Sequence, residues 1–335
     1  MARRVSLEDI ARATGYHRST VSLALRGQPG ISASTERAIK AAAERLGYRP
    51  DPVLQRMARQ RWQEPRESLQ ERIAYISHAH WDRKPTDALI RPLAEAWAAR
   101  LGYGIDTIDV THELSAATLT RIIRARGIRG VIFQAFRDRE PPPSLDLDWS
   151  KFAGVCCPAG QTRPPIHAVN FDAFLGARLA FQRAREAGYR RIGPALFSHD
   201  PATEDDRARQ GGILCEQAEL PSSRRLPALA QLHGDEDAFR HWYRKWKPDC
   251  VIGFTNTALA MLENMGLRVP EDVGFASLSV ESDGSRVSGV IKDWDALVRE
   301  AVELLVAELR ENHLGIPHAK KYVLIEPEWN EGETL

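Results

Sequence analysis

Residues 5–48 read VSLEDIARATGYHRSTVSLALRGQPGISASTERAIKAAAERLGY, and this stretch holds three short helical patterns with a turn between the first two. Ser6, with Asp9 three positions on, forms a capping box that satisfies exposed amides at a helix start. Leu7, Ile10, Ala11 and Thr14 then share one face at helical spacing. Gly15 takes the positive φ needed for a sharp turn. The spacing predicts a second helix over residues 18–26, with Val21, Ala24 and Leu25 turned inward. Gly27, Pro29 and Gly30 interrupt the chain, and Ser32 caps a third helix whose buried stripe is Ile39, Ala42, Ala43 and Leu46. The pattern is a helix-turn-helix with a supporting helix.

Charge agrees with this geometry. Residues 1–61 hold twelve Lys/Arg against five Asp/Glu, a net of +7, so the chain's overall +1 leaves −6 for the remainder. A basic head on an acidic body suits a polyanion-binding module joined to a part that does not bind polyanions. A small helical bundle with a solvated basic face is the other reading of such a segment. Caps, turn glycine and charge together favour nucleic acid.

The runs VSLEDIARATG, TVSLAL and GISASTERAIKAAAERLGYRPDPVLQRMA span residues 5–58 with almost no gaps. They resemble the head of the LacI/GalR (lactose/galactose repressor) family. The resemblance implies that the second helix presents Arg18 and Ser19 to base edges, with Thr20 and Ser22 near the backbone or bases. Leu23 stands where many members carry a polar or basic reader, and is limited to apolar contact such as a thymine methyl. Further DNA contacts are implied for Ser6, Ser32, Thr35 and Tyr48. Arginine's fork fits guanine, and short hydroxyls fit phosphates. His17 replaces the usual small capping hydroxyl. Residues 49–58, RPDPVLQRMA, resemble the family's hinge, a short helix that folds on the operator beside its twin from a second subunit. Pro52 suits its first turn. Met57 takes the place of the usual minor-groove Leu and is itself a wedge-forming residue, flanked by Val53, Gln55 and Ala58. So short a helix is unstable alone in water, and its order is expected to depend on DNA and dimerisation.

The body is read differently. Cys156, Cys157, Cys215 and Cys250 form no CxxC pair and no zinc spacing, and read as buried apolar residues in a reducing compartment. No apolar run reaches membrane-span length and no signal-peptide core opens the chain, so a cytoplasmic protein is expected. Residues 61–72 form a polar tether. Strands are predicted at 73–77, 105–110, 130–136 and 152–156, with helices at about 86–101 and 116–126; Pro92 predicts a late start or a kink in the first of these. A second series runs helix 172–187, strand 191–197, helix 203–219, helix 237–245, strand 250–254, helix 256–265 and strand 273–278. Alternation of this kind argues for parallel sheets covered by helices on both faces. The fold class is therefore an all-α helix-turn-helix head plus an α/β core of two doubly wound parallel-sheet lobes.

This body also resembles the family's ligand-binding core, itself similar to periplasmic sugar-binding proteins. The matching fragments are Phe171-Asp172 with GARLA, AGYRRIGPAL, GLRVPEDVGFASL and the ending KKYVLIEPEW. The resemblance implies a head at 1–50, a hinge at 51–60 and a core at 73–335. One lobe spans about 73–169 and 292–320, the other about 170–291 and 321–335, with crossings near 169–171, 290–292 and 319–321. An effector sits in the interlobe cleft at the carboxyl ends of the strands, and cleft closure moves the hinge helices.

Ligand candidates follow from position and chemistry. Arg207, in EDDRARQGG, aligns with the family's effector-binding arginine, able to fork two hydrogen bonds to vicinal hydroxyls or a carboxylate. Asn256 lies where the family has an Asn-Asp pair, but Thr257 follows it. Gln134 ends the third strand of the first lobe. His80 and Trp81 follow the first strand, where tryptophan can stack on a sugar face. The largest departure is Ser277-Leu278-Ser279-Val280, where many members carry Tyr-Asp-Asp. That loss removes acceptors for ligand hydroxyls and counts against a common hexose; Asp293 and Trp294 are candidate replacements.

Nothing in the sequence assembles catalysis or a cofactor site: there is no P-loop, GxSxG elbow, HExxH or strand-borne GxGxxG. The ten histidines are scattered. The main expectation is a non-enzymatic, homodimeric regulator of transcription on a palindromic, double-stranded operator. It is expected to act as a repressor, controlled by a small polar, sugar-like metabolite and without a membrane. Two other readings stay open at this point. One is a carbohydrate-binding or carbohydrate-processing core with a DNA tether. The other is a regulator without an effector, its cleft filled by its own side chains.

Overall fold

The computed structural model describes residues 7–25, 31–48, 71–78, 85–111, 114–134, 147–158, 166–197, 202–229, 235–280 and 284–335. The chain forms two compact units, residues 1–69 and 70–335. Ser6, the hinge and almost all of the tether lie outside the described residues.

In the first unit three helices enclose one small core: α1 (Leu7–Thr14), α2 (Arg18–Leu25) and α3 (Ala33–Leu46). Gly15 makes the turn at φ +71°, with its amide on the Ala11 carbonyl at 2.9 Å. A side chain there would be strained, because positive φ brings Cβ against the backbone. His17 opens α2 through its backbone, its carbonyl accepting the Val21 amide at 3.1 Å. Ser32 caps α3 by accepting the Thr35 amide at 3.2 Å, and Gly47 closes that helix at φ 69°. Ile10, Val21 and Ile39 are fully buried among Ala24, Ala42 and Ala43. Each of these large side chains contributes about 1.5–3 kcal/mol, which matters because eight-residue helices such as α1 and α2 are marginal alone.

The second unit contains two sheets. The first has the order β10-β5-β4-β3-β1-β2, and its recorded pairings are all parallel. Its strands are β1 (Glu71–His78), β2 (Tyr103–Val110), β3 (Gly130–Phe133), β4 (Ala153–Cys156), β5 (His167–Phe171) and β10 (Tyr322–Ile325). Helices α4 (Pro85–Arg100), α5 (Ala116–Ala125) and α10 (Trp294–Arg310) belong to this lobe. The second sheet has the order β11-β9-β8-β7-β6. It comprises β6 (Ile192–Ala195), β7 (Cys250–Gly253), β8 (Gly274–Val280), β9 (Gly289–Ile291) and antiparallel β11 (Glu328–Asn330), with helices α6 (Ala173–Glu186), α7 (Glu204–Ala218), α8 (Glu236–Trp246) and α9 (Thr257–Asn264). The central strands β3, β4, β6 and β7 are buried along their whole length. Parallel strands covered on both faces read as short apolar runs for this reason.

Several boundaries differ from the sequence reading. The first strand begins at Glu71, inside the expected tether, because Arg72 pairs with Asp106 of β2 and donates to the Ile105 carbonyl at 2.6 Å. Helix α4 starts at Pro85 and runs through Pro92; proline suits a first turn, where its missing amide is no loss. Helix α10 looks highly charged over residues 300–311, yet Leu297, Val298, Val302, Leu305 and Leu309 bury one face of it in the first lobe.

The chain passes between lobes three times. The passages fall between β5 and α6, between β9 and α10, and between β10 and β11. The last was expected near 319–321 and lies instead at Glu326-Pro327. Tyr322–Ile325 completes the edge of the first sheet, where the Ala168 amide donates to Lys321 O and the Asp172 amide to Ile325 O, each at 3.0 Å. An edge strand goes wherever a neighbouring strand offers unpaired backbone groups.

Candidate DNA-reading head and ligand cleft

On α2, burial of Val21 and Ala24 fixes which side faces outward. Leu23 is 37 % exposed and Thr20 half-buried, so these sequence candidates share an accessible side of the head. Arg18, Ser19 and Ser22 lie on the same helix, but their side chains fall outside the described residues. Ser32 and Thr35 meet at the start of α3, their hydroxyls 2.9 Å apart, with Ser34 equally close to Ser32. This hydroxyl cluster crowns a helix N-terminus, whose amides and dipole favour an anion such as a phosphate. Tyr48 follows Gly47 and packs partly into the head core. The hinge candidates Val53, Gln55, Met57 and Ala58, like Ser6, lie outside the described residues.

In the second unit, one pocket touches all three passages. It encloses about 440 Å³ and includes Phe171 and Asp172 from the first passage, Val290, Ile291 and Lys292 from the second and Pro327 from the third. Asp205 and Arg209 of α7 and Leu278 of β8 complete the polar and apolar sides. A hydrogen bond spans the lobes beside it: Asn170 of β5 donates through Nδ2 to Asp205 Oδ1 at 2.9 Å, and also to the Tyr322 hydroxyl at 3.3 Å.

Aromatic and cationic groups alternate along this region. The Arg209 guanidinium lies 4.0 Å over the Phe254 ring, and the Lys292 ammonium stands 5.5 Å from Phe254 and 5.7 Å from Phe171. Trp294 meets Phe171 edge-on at 5.0 Å. Cations within about 6 Å of a ring face are attracted by its quadrupole. Arg209 is anchored as well as stacked. Thr203 and Asp206 form a reciprocal capping box at the start of α7, and the other Asp206 oxygen takes Arg209 Nη2 at 2.5 Å, both side chains 7 % exposed.

The sequence candidates for this site divide. Gln134 is buried at the carboxyl end of β3, with Oε1 3.5 Å from the Tyr75 hydroxyl. Arg207 does not reach the pocket; it is exposed on α7 and pairs with Glu204. Two residues along a helix turn by about 200°, so Arg209 occupies the face that Arg207 was expected to use. Asn256 is exposed at the start of α9 and makes no side-chain cap, while Phe254, two residues earlier, stacks on Arg209. Asp293 caps α10 by accepting the Ala296 amide at 2.9 Å, so its carboxylate serves the helix, and its neighbour Trp294 meets Phe171. His80 and Trp81 lie outside the described residues. Phe171, Arg209, Phe254 and Lys292 were not singled out as ligand residues from the sequence. The available signal was the apolar-polar break at the end of each strand.

Comparison with known proteins follows the same division into head and core. The profile of the bacterial regulatory proteins of the LacI family matches residues 6–51, and the periplasmic binding protein-like domain matches residues 181–335. The chain belongs to the LacI family. This LacI-family chain is 23 % identical over 326 residues to the HTH-type transcriptional regulator CelR of Thermobifida fusca, covering 91 % of this chain and 92 % of that protein. It is 22 % identical over 250 residues to the regulator TreR of Escherichia coli, covering 71 % of each. Among solved structures, a CelR–cellobiose complex shares the fold with a TM-score of 0.59 and 21 % identity, over 99 % of this chain and 100 % of that one. The Lac repressor bound to ONPG gives a TM-score of 0.60 at 18 % identity over the same shares. The molecule is thus a transcriptional regulator of this family: a helix-turn-helix head on a two-sheet, periplasmic-binding-protein-like core. Among the described residues, no helix is long and apolar enough to cross a membrane.

Proposed function

We propose that the chain is a homodimeric repressor that binds a palindromic operator and whose DNA affinity is set by a small polar metabolite held between the core lobes. The observation behind this reading is the pocket that touches all three interlobe passages at once. A ligand there contacts every segment on which the lobes pivot, and differential contact with open and closed forms is what shifts such an equilibrium.

In this reading Arg18, Ser19 and Leu23 read bases, Thr20, Ser22, Ser32 and Thr35 serve the backbone, and Met57 wedges the minor groove from a hinge at 51–60 with Val53, Gln55 and Ala58 around it. Ser6 and Tyr48 support the same surface. Gln134, Arg209 and Lys292 supply polar contacts to the effector. The protein binds rather than catalyses and works in the cytoplasm, where its operator is; the relatives' description as transcriptional regulators supports this.

The test is selection of genomic fragments by the purified protein. A recovered palindrome, bound by a species of twice the chain mass in sedimentation, is the expected result. Sequence-independent binding alone, or a monomer on the recovered site, overturns the proposal.

A further inference from the structure

Hydrogen-bonding capacity around the crossing pocket is unevenly divided. The carboxylates are engaged by the protein itself. Asp172 accepts the Leu175 amide at 2.8 Å as the cap of α6, and Asp205 accepts from Asn170 at 2.9 Å. Asp206 takes the Thr203 amide and hydroxyl at 2.8 and 3.0 Å besides Arg209. The Ser277 hydroxyl, on the strand where related proteins carry acids, is turned onto the backbone of Ser279, 3.2 Å from both its oxygen and its nitrogen.

Donors make up the other side. Arg209 and Lys292 bring positive charge to the pocket wall. Gln134 adds a buried amide at the same end of the first sheet, two strands from β5 and so roughly 10 Å away. It is 1 % exposed, and its Nε2 meets no acceptor among the described residues. A buried donor left without an acceptor is disfavoured, and it awaits an oxygen from outside the protein.

The walls are flat and apolar: Phe171, Phe254 and Trp294, with Leu278 and Val290 behind. A sugar hydroxyl donates as well as accepts, so a sugar cleft needs free acceptors, whereas a carboxylate only accepts. Ring faces and edges pair best with another flat ring. On these grounds we infer that the effector is a carboxylate carried on a flat, largely apolar ring, an aromatic or heteroaromatic acid in place of a neutral sugar. Lys292 and Arg209 receive the carboxylate, and the three aromatic side chains hold the ring. This rests on the reading of the cleft as the effector site.

Calorimetric titration of the full-length protein tests it, with benzoate, 4-hydroxybenzoate and indole-3-acetate as probes against benzamide, galacturonate and cellobiose. At least one aromatic acid binds, and benzamide, without the charge, binds about tenfold more weakly than benzoate or not at all. Lys292→Gln lowers affinity for the acid about tenfold, Lys292→Arg keeps most of it, and circular dichroism melts confirm that both variants fold. Binding of cellobiose or galacturonate without any aromatic acid overturns the inference. So does the absence of binding by all three acids, or an affinity unchanged in Lys292→Gln. The underlying reading is tested separately by the response of DNA affinity. An acid that binds at Lys292 without altering operator affinity removes the effector role and leaves the ligand class standing.

Discussion

The head and the cleft place their functional groups on the chain in opposite ways. The proposed DNA contacts all fall within residues 6–58, on successive helices and the hinge that follows. The cleft draws Gln134, Phe171, Arg209, Phe254, Lys292 and Trp294 from strand ends and helix starts spread over more than a hundred and fifty residues. Local periodicity is enough to say which side of α2 faces outward. No local rule says which two strand ends meet. The head can therefore be altered one residue at a time with local effect, whereas a change in the cleft acts through the passages that join the lobes.

The largest effect expected from this contrast is on stability. Ile39→Ala removes a fully buried side chain from the small head core, at a cost of about 2–5 kcal/mol. Calorimetry should show the head melting early while the core transition stays in place; a single transition that moves as a whole breaks the comparison between two independent units. In the core, Asn330→Ala strips partners from the Ser285 and Val287 carbonyls, each held at 2.8 Å, and from the Gly284 amide at 2.9 Å. Leaving such buried groups unpaired costs about 1–3 kcal/mol. The core transition should fall and the head's should not.

On the DNA side, Arg18→Ala is expected to cost about 1–3 kcal/mol in operator affinity and to relax preference at one base pair. Binding to a set of single-substitution operators measures this. An equal loss on every site, with a flatter salt dependence, assigns Arg18 to phosphate instead.

The smallest effect is that of pH. His167 lies at the start of β5, accepting the Lys321 amide at Nδ1 (3.0 Å) with Nε2 3.5 Å from Glu308. Burial holds the His167 pKa below its ordinary value, outweighing the pull of Glu308. The folded ring is therefore neutral where the unfolded one, with a pKa of about 6.5, begins to take up a proton. Its stabilising contribution is complete above that value and is lost as pH falls toward the folded pKa. Glu308 follows at lower pH: burial raises it, but the Lys321 hydrogen bond (2.6 Å) and charge, with His167 and His313, hold it below the usual carboxylate range. Thermal melts across the acid limb should show core stability declining from about pH 6.5, and His167→Gln should flatten that first decline.

Much of the architecture was legible because it obeys short-range rules. Gly15, Ser32 and the Ile10–Val21–Ile39 core are each announced by turn chemistry, a cap or helical spacing. The alternation of apolar runs with amphipathic helices pointed to parallel sheets. What escaped was whatever depended on a partner far along the chain. β10 is short and half-exposed, and only the open edge of β5 assigns it to the first lobe. Arg207 and Arg209 are alike in the sequence, and only the packing of α7 beside Phe254 decides which one is buried. Asp293 looked like a ligand acid because a free carboxylate and a helix cap have the same letter.

Sequence alone determined the helix-turn-helix, its basic charge, the two-lobed α/β class and the absence of the acids that many relatives carry on the strand of Ser277. These follow from contacts within a turn or two of chain, where residue spacing maps directly onto geometry. Tertiary structure decided that the remaining cleft acids are engaged by the protein, that Arg209 and Lys292 stack against Phe254, and that three passages converge on one pocket. Those properties depend on which distant segments share a surface, and only the assembled sheets bring them together.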